Sequence, residues 1–269
     1  MCGRYVVFTD EENAELIEII NGIDQRYKNE AQQMKTGEIF PTDTVPVITA
    51  KTGSSVGYGK SAGSAASQSI LGSANSASIT SSVGAAGSIS SAGSYNTVNA
   101  HSTTSDNHSE RLFSPENLMD VHLFRWGFPN YMKSSAVIIN ARCETLHEKP
   151  TFRKLLGTGR CLVPASGFYE WKAAGVPAKK KDKYLIRAAE SKLMYFAGLY
   201  GSFIDKTGIP STRFVIITTE ANRQMSQIHS RMPVILRKSE ALAWISPENK
   251  DLNSLLRPYD SELTFDRVG

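Results

Sequence analysis

Cysteine is scarce in this chain: its 269 residues hold three, at positions 2, 143 and 161. An odd number with no C-x-x-C pair argues against a disulfide scaffold and against a zinc ribbon, and it suits a reducing compartment. Long apolar runs are also missing. No stretch approaches the ~18 residues of a spanning helix, and the first residues lack a secretory core, so no membrane partner is expected. The phosphate-binding, dinucleotide and H-E-x-x-H motifs are absent, which removes the commonest signatures of nucleotide and metalloprotease chemistry. Charge of one sign is not in large excess either. A net +4 and a pI near 8.9 hint only faintly at an anionic partner.

What remains is an ordinary soluble composition, 41% hydrophobic and 21% charged, with one discordant segment. Residues 53–110 are dominated by Ser, Gly, Ala and Asn and nearly devoid of large apolar side chains. Such a stretch cannot bury enough surface to offset its chain entropy and reads as a disordered insert within a domain spanning 1–269. The flanking runs VPVITA and VHLFRWGF read as strands that find partners elsewhere. "TDEENAELIEIING" reads as a helix with a Thr9–Glu12 capping box and a stop at Gly22. SAVIIN, GRCLVPASGFYEW, KYLIRA, LMYFAGLYGSF and TRFVIITT read as strands, and PTFRKLL, EANRQMSQI and SEALAWI as short helices. Strands prevail without a βαβ alternation. The expected class is α+β: a single domain with a mostly antiparallel sheet or open barrel and short peripheral helices.

Four positions suit covalent or proton-transfer chemistry. Cys2 follows the initiator methionine, so loss of Met1 would leave a 1,2-aminothiol: an α-amine of pKa ~7.7–8.0 beside a thiol. Such a pair can condense with an aldehyde as an imine and close through sulfur to a thiazolidine; the thiolate alone could attack an acyl carbon. Asn140 ends an apolar strand, with Arg142 two residues on and so on the same face. An amide and a guanidinium suit an oxyanion and a phosphate, although a strand-end turn with a surface arginine explains them equally. Glu170 lies between Tyr169 and Trp171, where partial desolvation suits a general acid–base; pairing with Lys172 at a sheet edge is the alternative, and the aromatic density favours the functional reading. His229 and Arg231 precede a proline-led apolar run, and His229 is the histidine best placed for proton transfer near neutral pH, unless it is simply structural. Trp126, Phe128 and Pro129 around Gly127 read either as core packing or as a base-stacking platform. The basic run 178–183 reads as a solvated loop that adds non-specific phosphate attraction.

Taken in order, MCGRY, PTDTVPVI, RWGFP, NARCET, RCLVPASGFYEW, FAGLY and IHSRMPVIL resemble the SRAP family of abasic-site processing proteins (SOS response-associated peptidases) over nearly the whole chain outside 53–110. The resemblance implies a compact α+β domain that crosslinks a mature N-terminal cysteine to the ring-opened aldehyde of an abasic site in single-stranded DNA. By motif, Cys2 would be the nucleophile, and Asn140 would position the N-terminus and the sugar. Glu170 would move protons, and His229 would assist ring opening and reversal. Arg4, Arg142 and Arg231 would contact phosphates, with Trp126, Phe128 and Pro129 stacking or splaying bases. The family name adds a peptidase activity that would release Cys2 autocatalytically. No metal or organic cofactor is needed, the expected state is a monomer, and a DNA-repair role implies a nuclear protein (cytoplasmic in a prokaryote). Two rivals stand beside this reading: an N-terminal-nucleophile glutamine amidohydrolase, which also begins Met-Cys-Gly, and a non-catalytic single-stranded DNA binder.

Overall fold

The apolar strands build two large sheets and a two-stranded one, Phe128–Pro129 with Val137–Ile138. The computed structural model describes residues 2–8, 14–26, 34–51, 119–131, 136–172, 181–204 and 208–269; the 53–110 insert, the Thr9–Glu12 capping box and residues 178–180 of the basic run lie outside them. The first elements are β1 (Arg4–Val7), α1 (Ala14–Arg26), β2 (Gly37–Ile39), β3 (Thr44–Ala50), β4 (Met119–Trp126), β5 (Phe128–Pro129), β6 (Val137–Ile138) and β7 (Asn140–Arg142). They are followed by α2 (Pro150–Thr158), β8 (Arg160–Ala165), β9 (Gly167–Lys172), β10 (Asp182–Ala188), β11 (Met194–Ile204) and β12 (Pro210–Glu220). The last are β13 (Arg231–Pro233), β14 (Ile235–Leu236), α3 (Lys238–Ile245) and β15 (Leu263–Arg267).

One sheet runs β15-β10-β9-β1-β2, antiparallel throughout. In the other, β12-β4-β3-β8-β11 forms a ring, because β11 pairs back onto β12. β13, β14 and β7 attach to this ring. Closure removes two edges that would otherwise need cover. The expected open barrel is thus a closed five-stranded one, and its parallel contacts are β12 with β4 and with β7.

Three local expectations change. First, β3 and β4, which flank the long insert, pair with each other from Thr44↔Arg125 to Ala50↔Met119 and do not depend on distant partners alone. Second, GRCLVPASGFYEW is not one strand. The chain leaves the barrel at Ser166 and enters the other sheet as β9; the Ser166 N–H donates to Val6 O at 2.8 Å, and its hydroxyl accepts from the Phe8 N–H at 2.9 Å. Third, α1 runs through Gly22 to Arg26, because Ile23 is fully buried and the following turn gains more than a mid-helix glycine costs. The EANRQMSQI segment forms only a 3-10 turn, Met225–Gln227. Among the described residues, no helix is long and apolar enough to cross a membrane.

Candidate functional site

The crossing at Ser166 explains where the site sits. β9 belongs to one sheet and its predecessor β8 to the barrel, so the start of β1, paired with β9 at Arg4↔Tyr169, lies at the junction of the two. Cys2 precedes β1 and is fully buried. Its carbonyl accepts a hydrogen bond from Asn140 Nδ2 at 2.8 Å. Asn140 begins β7, which is held to the barrel by β12 at Ile216↔Asn140. A single amide therefore ties the chain start of one sheet to the other sheet. The Cys2 thiol donates to Arg4 O at 3.7 Å. Burial pushes this thiol well above the ordinary range, and the nearby Glu170 carboxylate pushes the same way.

Alternation on β9 divides its side chains between two faces. Phe168 and Glu170 point inward, both buried, whereas Tyr169 and Trp171 join Val6 and Leu185 on the other face. Arg4 lies on that second face, with its guanidinium 4.4 Å from the Phe40 ring centroid and 5.0 Å from the Trp171 centroid. It also donates to Glu38 Oε1 at 3.1 Å, the same oxygen that Lys183 Nζ reaches at 2.8 Å. Burial alone would raise the Glu38 carboxyl; the hydrogen bonds from Lys183 and Arg4 outweigh it and hold that carboxyl below its usual range.

On the barrel side, Arg231 opens β13 opposite Glu220. Its guanidinium grips both oxygens of Glu144 at 2.7 and 2.9 Å and also donates to Thr218 O at 2.9 Å. The half-buried His229 accepts the Arg231 backbone N–H on Nδ1 at 3.0 Å, which places the proton of the neutral ring on Nε2. Arg142 ends β7 and is exposed. The structure thus joins Cys2, Asn140 and Glu170 in one cluster and His229, Arg231 and Glu144 in a second; Asn140 on β7 and Glu144 in the 3-10 turn Cys143–Thr145 that follows it connect the two along the chain.

The expected stacking platform is not there in the free protein. Trp126 is fully buried, donates Nε1–H to Ile139 O at 3.0 Å, and meets Tyr5 edge-on at 5.2 Å between centroids. Phe128 packs against Phe203 at 4.5 Å between centroids. Both rings fill the core, so neither presents a face to a base; Pro129 is half-buried against Val137. The residues that sequence reasoning passed over are Glu38 and Glu144, the carboxylates on the arginines. Glu144 lies inside the NARCET block and Glu38 carries no local pattern; for both, the partner is brought from far along the chain by the fold.

Hydrogen bonds from Arg231 hold the Glu144 carboxyl down to about 2, against a smaller upward push from burial. Because the folded value is depressed, the stabilisation from this pair is complete above the ordinary glutamate pKa of ~4.3 and is lost as pH falls from there through about 2. A carboxyl NMR titration is expected to give Glu144 a midpoint of about 2 in the native protein and one near ~4.3 in Arg231→Ala. A midpoint that stays depressed in the variant would assign the shift to something other than this pair.

The model of the family "SOS response associated peptidase (SRAP)" matches residues 1–269. Among curated proteins, the chain is similar to "Abasic site processing protein YoqW" of Bacillus subtilis (strain 168), 45% identical over 145 residues, covering 51% of this chain and 64% of that protein. It is also similar to "Abasic site processing protein HMCES" of Rattus norvegicus, 28% identical over 204 residues, covering 62% of this chain and 55% of that one. The chain thus spans less than two-thirds of the length of these curated relatives. A crystal structure of a protein from Bacteroides thetaiotaomicron superposes with a TM-score of 0.51 at 30% identity, over 56% of this chain and 70% of the other.

Proposed function

The chain belongs to the SRAP family, and from that premise we propose that it processes abasic sites in single-stranded DNA by trapping the ring-opened sugar aldehyde on Cys2. With Met1 removed, the Cys2 amine adds to the aldehyde carbon and the adduct loses one water to give an imine. The thiol sulfur then adds to the same carbon while its proton passes to nitrogen, and the thiazolidine closes. The high affinity of the buried thiol for its proton supports this order, since the amine is the better nucleophile at the outset.

The observation that carries the reading is the Asn140–Cys2 hydrogen bond, which fixes the chain start beside the Glu170 carboxylate. In this reading Asn140 holds the Cys2 backbone, and Glu170 relays protons during loss of water and ring closure. His229 offers its Nε2 proton for opening of the sugar ring and for reversal. Arg4, Arg142 and Arg231 receive phosphates.

The test is incubation with a single-stranded oligonucleotide carrying one abasic site, followed by a denaturing gel. A slower-migrating adduct is expected with that substrate and none with intact DNA. Glu170→Gln is expected to slow its appearance by about 100-fold or more, the scale of a lost general acid–base. Wild-type kinetics in Glu170→Gln would remove Glu170 from proton transfer. Ammonia release from glutamine without any adduct would favour the amidohydrolase rival.

A further inference from the structure

Two of the arginines assigned to phosphates are already engaged by carboxylates. Arg231 holds both oxygens of Glu144, and Arg4 shares one oxygen of Glu38 with Lys183. A carboxylate receiving two N–H bonds is the nearest side-chain likeness of a phosphodiester. The two pairs lie on different sheets, Glu38 on β2 and Arg231 on β13. Both acids stay open to solvent, with Glu144 side-chain exposure at 41% and Glu38 at 29%. Because the carboxylate side of each pair is open to solvent, an incoming anion can compete for the same donors. Neither guanidinium is left to wander: Thr218 O fixes Arg231, and the Phe40 and Trp171 rings bracket Arg4. Lys183 is similarly placed, its Nζ 3.9 Å from the Tyr169 ring centroid.

We infer that Glu38 and Glu144 stand in for phosphates in the DNA-free protein, holding Arg4, Lys183 and Arg231 in a phosphate-receiving geometry until a strand displaces them. The inference rests on the DNA reading above and adds Lys183 to its phosphate contacts. Its consequence is selectivity. Every DNA molecule must first displace two carboxylates, so undamaged strands bind weakly and leave, whereas an abasic strand is retained by the covalent bond. Specificity then comes partly from a built-in competitor and not only from new attraction.

Fluorescence anisotropy with a labelled oligothymidine that has no abasic site isolates this step from the chemistry, read between about 50 and about 200 mM salt. Glu144→Gln and Glu38→Gln are each expected to bind about 3- to 10-fold more tightly at the low-salt end. The slope of log K against log salt should steepen by about 0.7 for Glu144→Gln, which frees one cation, and by about 1.4 for Glu38→Gln, which frees two. Adding Arg231→Ala to Glu144→Gln should cancel the gain. Wild-type affinity and slope in both glutamine variants, with weaker binding in Arg231→Ala and Arg4→Ala, overturns the inference and leaves the DNA reading standing. Arginine variants that bind like wild type overturn the inference and remove these arginines from phosphate binding, while the abasic-site adduct decides the DNA reading separately. Should Glu144→Gln lower the melting temperature, Glu38→Gln carries the test from the other sheet.

Discussion

Replacing Cys2 with alanine is expected to abolish the denaturation-resistant adduct completely. The variant keeps an N-terminal amine, so an imine still forms; without sulfur it cannot close into a ring and hydrolyses when the protein unfolds. Borohydride should therefore rescue a crosslink in Cys2→Ala by reducing the imine. A residue left attached ahead of Cys2 makes the complementary defect. It keeps the thiol but turns the Cys2 amine into an amide and moves the free amine one residue away, so no thiazolidine can close on Cys2 and the denaturation-resistant adduct is lost. The contrast between the two proteins separates the amine from the sulfur. An N-terminally extended protein that crosslinks at the wild-type rate would sink the mechanism, and an adduct of normal stability in Cys2→Ala would sink the role of the thiol.

The second large effect is expected far from the chemistry. Arg160, the first residue of β8, is buried, and its guanidinium donates to three backbone carbonyls: Trp244 O from Nε at 2.6 Å, with Leu156 O and Ser246 O on the two terminal nitrogens, and it lies 6.0 Å from the Trp244 ring centroid. Leu156 lies in the last turn of α2, Trp244 in the last turn of α3, and Ser246 just beyond it. One cation thus caps the negative ends of two helices, where carbonyls lack intrahelical donors. Arg160→Met keeps the bulk and strands Leu156 O and Trp244 O, while Ser246 O keeps the Asn249 N–H at 3.1 Å. At about 1–3 kcal/mol for each buried group left unsatisfied, the loss should be at least about 2 kcal/mol, a fall of roughly 4–8 °C in Tm. Arg160→Lys should recover only part of it, because an ammonium cannot spread its donors across three carbonyls as the planar fork does. A thermal melt of Arg160→Met within about 2 °C of wild type would show that water replaces the guanidinium without cost.

How much of this was legible beforehand follows from which interactions are local. Strand runs such as TRFVIITT and LMYFAGLYGSF read correctly because β-branched and aromatic density is a property of the run itself. Helix PTFRKLL read correctly because Pro150 and its apolar spacing are local too. The motif order led to the family. What could not be read were long-range facts. Nothing in "VPASGF" says that the chain changes sheets at Ser166, because both halves are apolar and the switch is made by hydrogen bonds to Val6 and Phe8. Trp126 and Phe128 look the same in sequence whether they face a base or a core; burial against Tyr5 and Phe203 places them in the core. Arg160 reads as an ordinary surface arginine until the ends of two helices arrive beside it. For the candidate site, residue types in β1, β7 and β9 raised the right chemical questions, but the carboxylates on Arg4 and Arg231 came only with the register.

The β3–β4 pairing also bears on evolution and engineering. Ala50 and Met119 face each other across the last rung of their ladder, so the two flanks of residues 51–118 are held side by side. The opposite end of the same ladder, where Trp126 N–H donates to Asp43 O at 2.9 Å, lies about 20 Å away along the strands. Lengthening a loop whose ends are pinned together costs only about 0.6 kcal/mol per doubling. That rung is therefore a port. A lineage can lengthen, shorten or exchange what is spliced there almost freely, and a tether, reporter or second domain grafted at the same place would leave the distant end of the ladder undisturbed.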